Sequence, residues 1–136
     1  MQVSCPPGGE DAARRFYGDG LGLTEVAKPS ALAGRGGCWF RAYDGQGQVT
    51  AELHVGVEEP FRAAGKAHPA LAVDEVDALD RLARRLRAAG LPVDESERRT
   101  FTGYVRFHTA DPHGNRVEVL APLGADSTGE ESVDVR

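Results

Sequence analysis

Apolar and polar residues alternate or recur along the chain in patterns that predict short strands and two helices. The clearer helix runs from Asp74 to Ala89, because apolar residues recur there at spacings of three and four and arginines follow an acidic first turn. Gly90 would end it. A shorter helix is predicted from Glu10 to about Gly18, and a loop from Pro29 to Gly37. Strands are predicted within QVSC, GLGLTEV, GCWFRAY, QVTAELHVGV, HPALAV, LPVDE, YVRFHTA and RVEVLAP.

The order of these elements repeats once along the chain. Each half runs strand, helix, strand and then hairpin, which predicts a duplicated β-α-β-β-β unit and an α+β fold. Aligning Gly22 with Gly90 gives an offset of 90 − 22 = 68 residues between the repeats. The first module would cover about 1–57 and the second about 67–123, within a single domain of residues 1–123. The acidic segment 124–136 shows no periodicity and is predicted to be a disordered tail.

Strand alternation separates a face that packs on the helices from a second face that carries polar residues. In ELHVG, for example, Leu53 and Val55 would pack on a helix while His54 points to the opposite side. The same rule applied to the other strands predicts a polar set on the second face, consisting of Gln2, Ser4, Glu52, His54, His68, Arg116 and Glu118.

Three members of this set, His54, His68 and Glu118, could together bind a divalent metal ion. Two imidazoles and one carboxylate suit Zn²⁺, Ni²⁺, Mn²⁺ or Fe²⁺ and leave coordination positions open for a substrate. The alternative is that all three are ordinary solvated or hydrogen-bonded strand residues, because their spacing is not specific. His108 could also face this side but is left out of the set, as is His113 in the DPHGN turn.

Composition narrows the class of partner. Sixteen basic against 21 acidic residues give a net charge of −5, which argues against nucleic acid as a ligand. The sequence contains no apolar run long enough to span a membrane and no secretory signal pattern at its start, so a cytoplasmic protein without membrane contact is expected. Cys5 and Cys38 are expected to be buried thiols rather than a disulfide framework.

Three segments, AARRFYGDGLGL, AHPALAVDEVDAL and DPHGNRVEVLAP, resemble the vicinal oxygen chelate superfamily, which contains glyoxalases, bleomycin-resistance proteins and ring-cleaving dioxygenases. The resemblance covers roughly residues 1–123. It implies two paired β-α-β-β-β modules whose curved sheets form a cup for a divalent metal, with the helices on the outer face. It also implies a homodimer.

The resemblance implies ligands from the first and last strands of each module. His68 and Glu118 occupy these places in the second module, and His54 occupies the last strand of the first, with Glu52 as a substitute on the same face. The fourth place falls immediately before Met1, so either the natural protein has a histidine before this sequence or the site works with three ligands, helped by Gln2. By resemblance to glyoxalase I, Glu118 is also the candidate to move a proton.

Two functions follow from the resemblance. The first is a glyoxalase- or dioxygenase-like metalloenzyme that acts on a small oxygen-rich substrate by stabilising an oxyanion. The second is a metal-free protein of bleomycin-resistance type that sequesters a drug-like ligand. In either case the substrate-binding candidates are Gln2, Trp39, Arg41, Tyr104 and Arg106, with core packing or solvation as the alternative role for the aromatic and arginine side chains.

Overall fold

A computed structural model of the chain describes residues 1–124. The predicted tail therefore lies outside the described residues, apart from Gly124. The chain divides into two compact units. Unit 1 contains Met1–Pro69 and Asp111–Arg116, and unit 2 contains Ala70–Ala110 and the residues from Val117 onward. Every helix in the described part is too short to traverse a lipid bilayer.

Unit 1 is built on a four-stranded sheet with the order β1-β4-β3-β2. β1 runs parallel to β4, and the other neighbours are antiparallel. The apolar side of this sheet supplies most of the core, with Phe40, Leu53 and Val55 each about 1% exposed. Its elements are β1 (Gln2–Cys5), α1 (Glu10–Ala13), a π-helical continuation (Arg14–Gly20), β2 (Thr24–Val26), a 3-10 helix (Ser30–Arg35), β3 (Cys38–Tyr43) and β4 (Val49–Val57).

Unit 2 repeats this arrangement with a three-stranded sheet of order β5-β7-β6, in which β5 runs parallel to β7. The apolar stripe predicted for the long helix is buried, with Leu79 and Leu86 fully inaccessible to solvent. Gly90 has a positive φ of 79° just beyond this helix, which is the conformation that glycine adopts most readily at a helix end. The elements are β5 (Ala70–Ala72), α2 (Val76–Ala88), β6 (Tyr104–Ala110) and β7 (Arg116–Pro122).

The predicted duplication is visible in the register of the two sheets. Gln2 on β1 pairs with His54 on β4, and Ala70 on β5 pairs with Glu118 on β7. The first members of these pairs are 70 − 2 = 68 residues apart, which is the offset obtained from the glycines. His54 and Glu118 therefore hold equivalent positions in their own units. The α+β fold of two repeated modules is confirmed.

Three local predictions were wrong. The predicted loop from Pro29 to Gly37 contains a 3-10 helix, because the short Ser-Ala-Leu-Ala run after a proline favours a helical turn. LPVDE does not form a strand, and only Asp94 bridges β6, opposite His108. Pro92 in this segment has no N–H to donate to a ladder. The strand expected to begin at His68 begins at Ala70, because Pro69 likewise cannot donate.

Candidate functional site

The polar face of the unit 2 sheet carries a buried imidazole and a buried carboxylate side by side. His108 Nε2 on β6 lies 3.5 Å from Glu118 Oε1 on β7. The side chains of these residues are only 9% and 7% exposed. Alternation along β6 explains the placement: Val105 and Phe107 point into the core, so Tyr104, Arg106 and His108 share the other face.

Arg106 completes this cluster from the opposite side of the carboxylate. Its Nη1 donates to Glu118 Oε2 at 3.2 Å. The guanidinium is also held by the loop before β6, because it donates to Thr100 Oγ1 at 2.8 Å and to the Glu97 carbonyl at 3.2 Å. Phe101 lies under it, 5.6 Å from Cζ to the ring centroid. Arg106 is therefore fixed by contacts that do not depend on Glu118.

His108 was not among the predicted ligands, although the alternation in YVRFHTA indicated that it shares a face with Tyr104 and Arg106. What the sequence did not show is that β6 lies beside β7 with His108 next to Glu118. The position of His108 is stabilised on its other edge by Asp94, which exchanges backbone hydrogen bonds of 2.8 and 2.9 Å with it.

The open face of the unit 1 sheet carries a different polar cluster. The His54 ring stacks on the Trp39 indole, with 3.6 Å between centroids and 6° between planes. His54 Nε2 lies 2.8 Å from Glu52 Oε2, and Arg41 Nε donates to Glu52 Oε1 at 2.6 Å. The hydrogen bonds from Arg41 and then from His54 hold the pKa of the Glu52 carboxyl below its usual value. Trp39 and Arg41 share this face, as predicted from their spacing.

His68 lines a cavity of about 560 Å³ in unit 1, and its Nδ1 lies 2.8 Å from the Lys66 carbonyl oxygen. Gln2, another predicted site residue, lines the same cavity. The structure thus brings His68 and Gln2 together, whereas the His54 ring nitrogen and ring face contact Glu52 and Trp39. The remaining lining residues are Met1, Val3, Ser4, Glu58, Arg62, Ala64, Ala67, Pro69, Asn115 and Arg116.

A buried polar network surrounds the DPHGN turn within unit 1. Tyr17 donates its hydroxyl hydrogen to Asp111 Oδ2 at 2.7 Å, and Asn115 Nδ2 donates to the same oxygen at 2.8 Å. Asn115 Nδ2 also donates to the Ser4 carbonyl at 2.7 Å. Burial, followed by the nearby Asp111 charge, raises the pKa of Tyr17. These groups satisfy one another, so their role is to hold the turn against β1.

Both thiols are buried, as expected from the sequence. Burial raises the pKa of Cys38 to about 11 and also raises the pKa of Cys5. A thiol with a raised pKa is a poor nucleophile at neutral pH. Cys5 and Cys38 are therefore core residues and not candidates for covalent chemistry.

His108 and Glu118 of unit 2 offer a nitrogen and an oxygen atom of the kind that bind metal ions. Zinc binds nitrogen and carboxylate oxygen at roughly 2.0 to 2.2 Å, so two donors in a tetrahedral site lie roughly 3.4 Å apart. The 3.5 Å between His108 Nε2 and Glu118 Oε1 is close to this separation. An imidazole and a carboxylate are also the donors that several first-row metals accept.

A β-α-β-β-β unit is followed by a similar unit with one strand fewer, and each sheet carries polar residues on one face. This arrangement is typical of glyoxalase-like proteins. The model of the Glyoxalase/Bleomycin resistance protein/Dioxygenase superfamily matches residues 8–119. The chain therefore belongs to this superfamily, as its sequence resemblance indicated.

Solved structures support the same assignment. A glyoxalase family protein from Bacillus anthracis is 38% identical, with 89% of this chain and 90% of that chain covered and a TM-score of 0.76. Lactoylglutathione lyase from Agrobacterium tumefaciens is 25% identical, with coverage of 89% and 91% and a TM-score of 0.62. The fosfomycin resistance protein FosX from Listeria monocytogenes shares the fold at 12% identity, with coverage of 94% and 93% and a TM-score of 0.66. Comparison with curated protein sequences gives no match.

Proposed function

We propose that this protein is a metal-dependent enzyme of the glyoxalase and dioxygenase class that acts on a small oxygen-rich substrate. The observation that carries the proposal is the buried His108–Glu118 donor pair, with 3.5 Å between its nitrogen and oxygen atoms. Burying a carboxylate beside an imidazole is costly unless hydrogen bonds, ion pairs or a bound metal ion offset the lost hydration. We propose His108 and Glu118 as two ligands of the divalent ion and retain His68, which was predicted from the sequence, as the third.

His68 is proposed as the third ligand because the sequence predicts that it shares the polar strand face with Glu118. His68 precedes Ala70 by two residues, and Ala70 is the strand partner of Glu118. Residues two apart in an extended chain share a face and lie about 7 Å apart, and neighbouring strands lie about 4.8 Å apart. This spacing in the sequence is the basis on which His68 is proposed as a ligand beside Glu118. In this proposal His54 is not a metal ligand, because its ring stacks on Trp39 and its Nε2 contacts Glu52.

The bound ion would supply Lewis-acid stabilisation to an oxyanion of the substrate. Residues of the chain would transfer the proton and bind the substrate. Glu118 is proposed as the proton-transfer group by resemblance to glyoxalase I, a role that requires its carboxylate to detach from the ion or to bind it loosely. Gln2, Trp39, Arg41, Tyr104 and Arg106 are proposed to contact the substrate. Residues 1–123 would act as one domain in a cytoplasmic homodimer, which light scattering on the purified protein would test.

A specific observation also favours a second function, that of a metal-free ligand-binding protein of bleomycin-resistance type. The Arg106 guanidinium lies 3.2 Å from the Glu118 carboxylate and carries the charge that a metal would otherwise supply. A cation held at this point opposes the binding of another one by Coulomb repulsion. The two functions therefore differ in whether a metal or Arg106 neutralises Glu118.

Elemental analysis of protein purified without chelator separates the two. We expect about one divalent ion per chain in the wild type and little in His68→Gln and Glu118→Gln variants, with Glu97→Gln as a control that removes an exposed carboxylate of unit 2. Negligible metal in all four proteins would rule out the metalloenzyme and favour the metal-free ligand-binding protein. Formation of lactoylglutathione from methylglyoxal and glutathione would then show whether a metal-loaded wild type shares the activity named for the Agrobacterium tumefaciens relative.

A further inference from the structure

We infer that the unit 1 cavity lined by His68 binds an oxyanion, so that the substrate carries a carboxylate, phosphonate or phosphate group. This inference deepens the proposed function, because it gives the chemical class of the substrate next to a proposed metal ligand. A cavity of about 560 Å³ is within the usual range for small-molecule sites.

The wall of the cavity carries positive charge from two arginines. Arg62 and Arg116 both line the cavity, and neither guanidinium has a hydrogen bond or ion pair with any of residues 1–124. This contrasts with Arg41, which is ion-paired with Glu52 in the same unit. A net charge of −5 makes two unpaired guanidinium groups around one cavity a local excess of positive charge.

Uncharged hydrogen-bond donors in the cavity wall also favour the binding of an anion. Gln2 and Ser4 line it from β1, and both side chains can donate hydrogen bonds to an oxyanion. Glu58 is the one carboxylate in the wall, so the arginines outnumber it. Arginine is suited to planar and tetrahedral oxyanions because it can donate two parallel N–H bonds to them.

The two arginines differ in burial, and the more buried one should contribute more to anion binding. Arg116 is half-buried at the start of β7, whereas Arg62 is exposed. Solvent screens a charge on an exposed side chain, and its flexibility must also be lost on binding. Arg116 is therefore the main anion contact, and Arg62 closes the cavity with a smaller contribution.

The test is titration calorimetry at low salt with malonate and phosphonoacetate as oxyanion probes and malonamide as the neutral control. We expect both anions to bind the wild type, malonamide not to bind, and Arg116→Gln to weaken anion binding by about tenfold. Arg62→Gln should have a smaller effect, and Arg84→Gln, which removes an exposed arginine of α2, should have none. Circular dichroism would confirm that each variant folds.

Anion binding that is unchanged in Arg116→Gln would overturn the inference, as would equal binding of malonamide and malonate or no binding of either anion to the wild type. Metal content measured on the same proteins separates this inference from the proposed function. If the protein contains metal but binds no anion, the inference fails and the proposal of a metalloenzyme stands. If it binds anions but contains no metal, the inference stands and the proposal of a metalloenzyme fails.

Discussion

His108 and Glu118 place an imidazole nitrogen 3.5 Å from a carboxylate oxygen on neighbouring strands of unit 2. The sequence predicted His54 as a metal ligand, whereas the set proposed above contains His108, and two substitutions would distinguish these hypotheses. We expect His108→Gln to weaken Ni²⁺ or Zn²⁺ binding at least tenfold, since a ligand is removed. His54→Gln should leave the affinity unchanged, because His54 is engaged by Trp39 and Glu52.

Calorimetric titration with each metal is the measurement. If His54→Gln lost the metal and His108→Gln kept it, the set of His54, His68 and Glu118 would be the correct one. Glu118→Gln should lose the metal under either assignment, so it serves as the positive control.

Arg106 should lower the affinity of the site for metal. Its guanidinium is fixed by Thr100, Glu97 and Phe101 and neutralises Glu118 in advance. Arg106→Gln removes this competing charge, so we expect divalent metal to bind about tenfold more tightly than in the wild type. In the presence of chelator the same variant should melt at a lower temperature, because buried Glu118 loses its counter-ion.

Arg98→Gln provides the matched control, since the Arg98 guanidinium pairs with Asp80 and Glu95 in the same unit. It should lower stability without changing metal affinity. Weaker metal binding in Arg106→Gln would mean that the guanidinium supports the site instead of competing with the ion.

Tyr17→Phe should destabilise the protein by about 2 kcal/mol, because a buried hydrogen bond to a charged carboxylate is lost. Urea unfolding followed by circular dichroism measures this change. The Asn115 contact to the same Asp111 oxygen remains in the variant, so the loss should not exceed that of a single bond.

Tyr17 also predicts a pH dependence. Its folded-state pKa is raised, so the stability it contributes is fully present below the unfolded pKa of about 10 and is lost as the pH rises above it. Folded wild type and Tyr17→Phe should show the same phenolate absorbance up to the alkaline unfolding transition. A larger absorbance change in the folded wild type would show that Tyr17 ionises in place.

Gly37→Ala should be strongly destabilising. A Cβ at this position would lie 2.2 Å from the Val55 carbonyl oxygen, and φ is +83°. The clash and the strained backbone together should cost about 3 kcal/mol in the free energy of unfolding. Gly45→Ala is the control, because no atom lies within 4 Å of the added Cβ and φ is not positive there. Its change should stay within about 0.5 kcal/mol.

Much of the fold was predictable from local patterns. The apolar period of α2 and the alternation in β1, β4 and β7 depend on neighbouring residues alone, and the burial of Leu86, Leu53 and Val117 agrees with them. The 68-residue offset likewise follows from Gly22 and Gly90, whose positive φ values of 82° and 79° reflect the same local turn. Predictions failed at Pro69 and Pro92, where a missing N–H limits strand pairing.

The sequence by itself determined which face of each strand carries polar residues, because side-chain alternation is a property of the extended backbone. It thereby identified Glu118, His68 and Arg106 as candidates, whereas His108 was left out although it could face the same side. Only the tertiary structure decided which of these side chains meet. The pairing of His108 with Glu118 depends on β6 lying beside β7, and the stacking of His54 on Trp39 depends on the register of β3 and β4. Strand neighbours and register are set by contacts between distant parts of the chain, which no local pattern specifies.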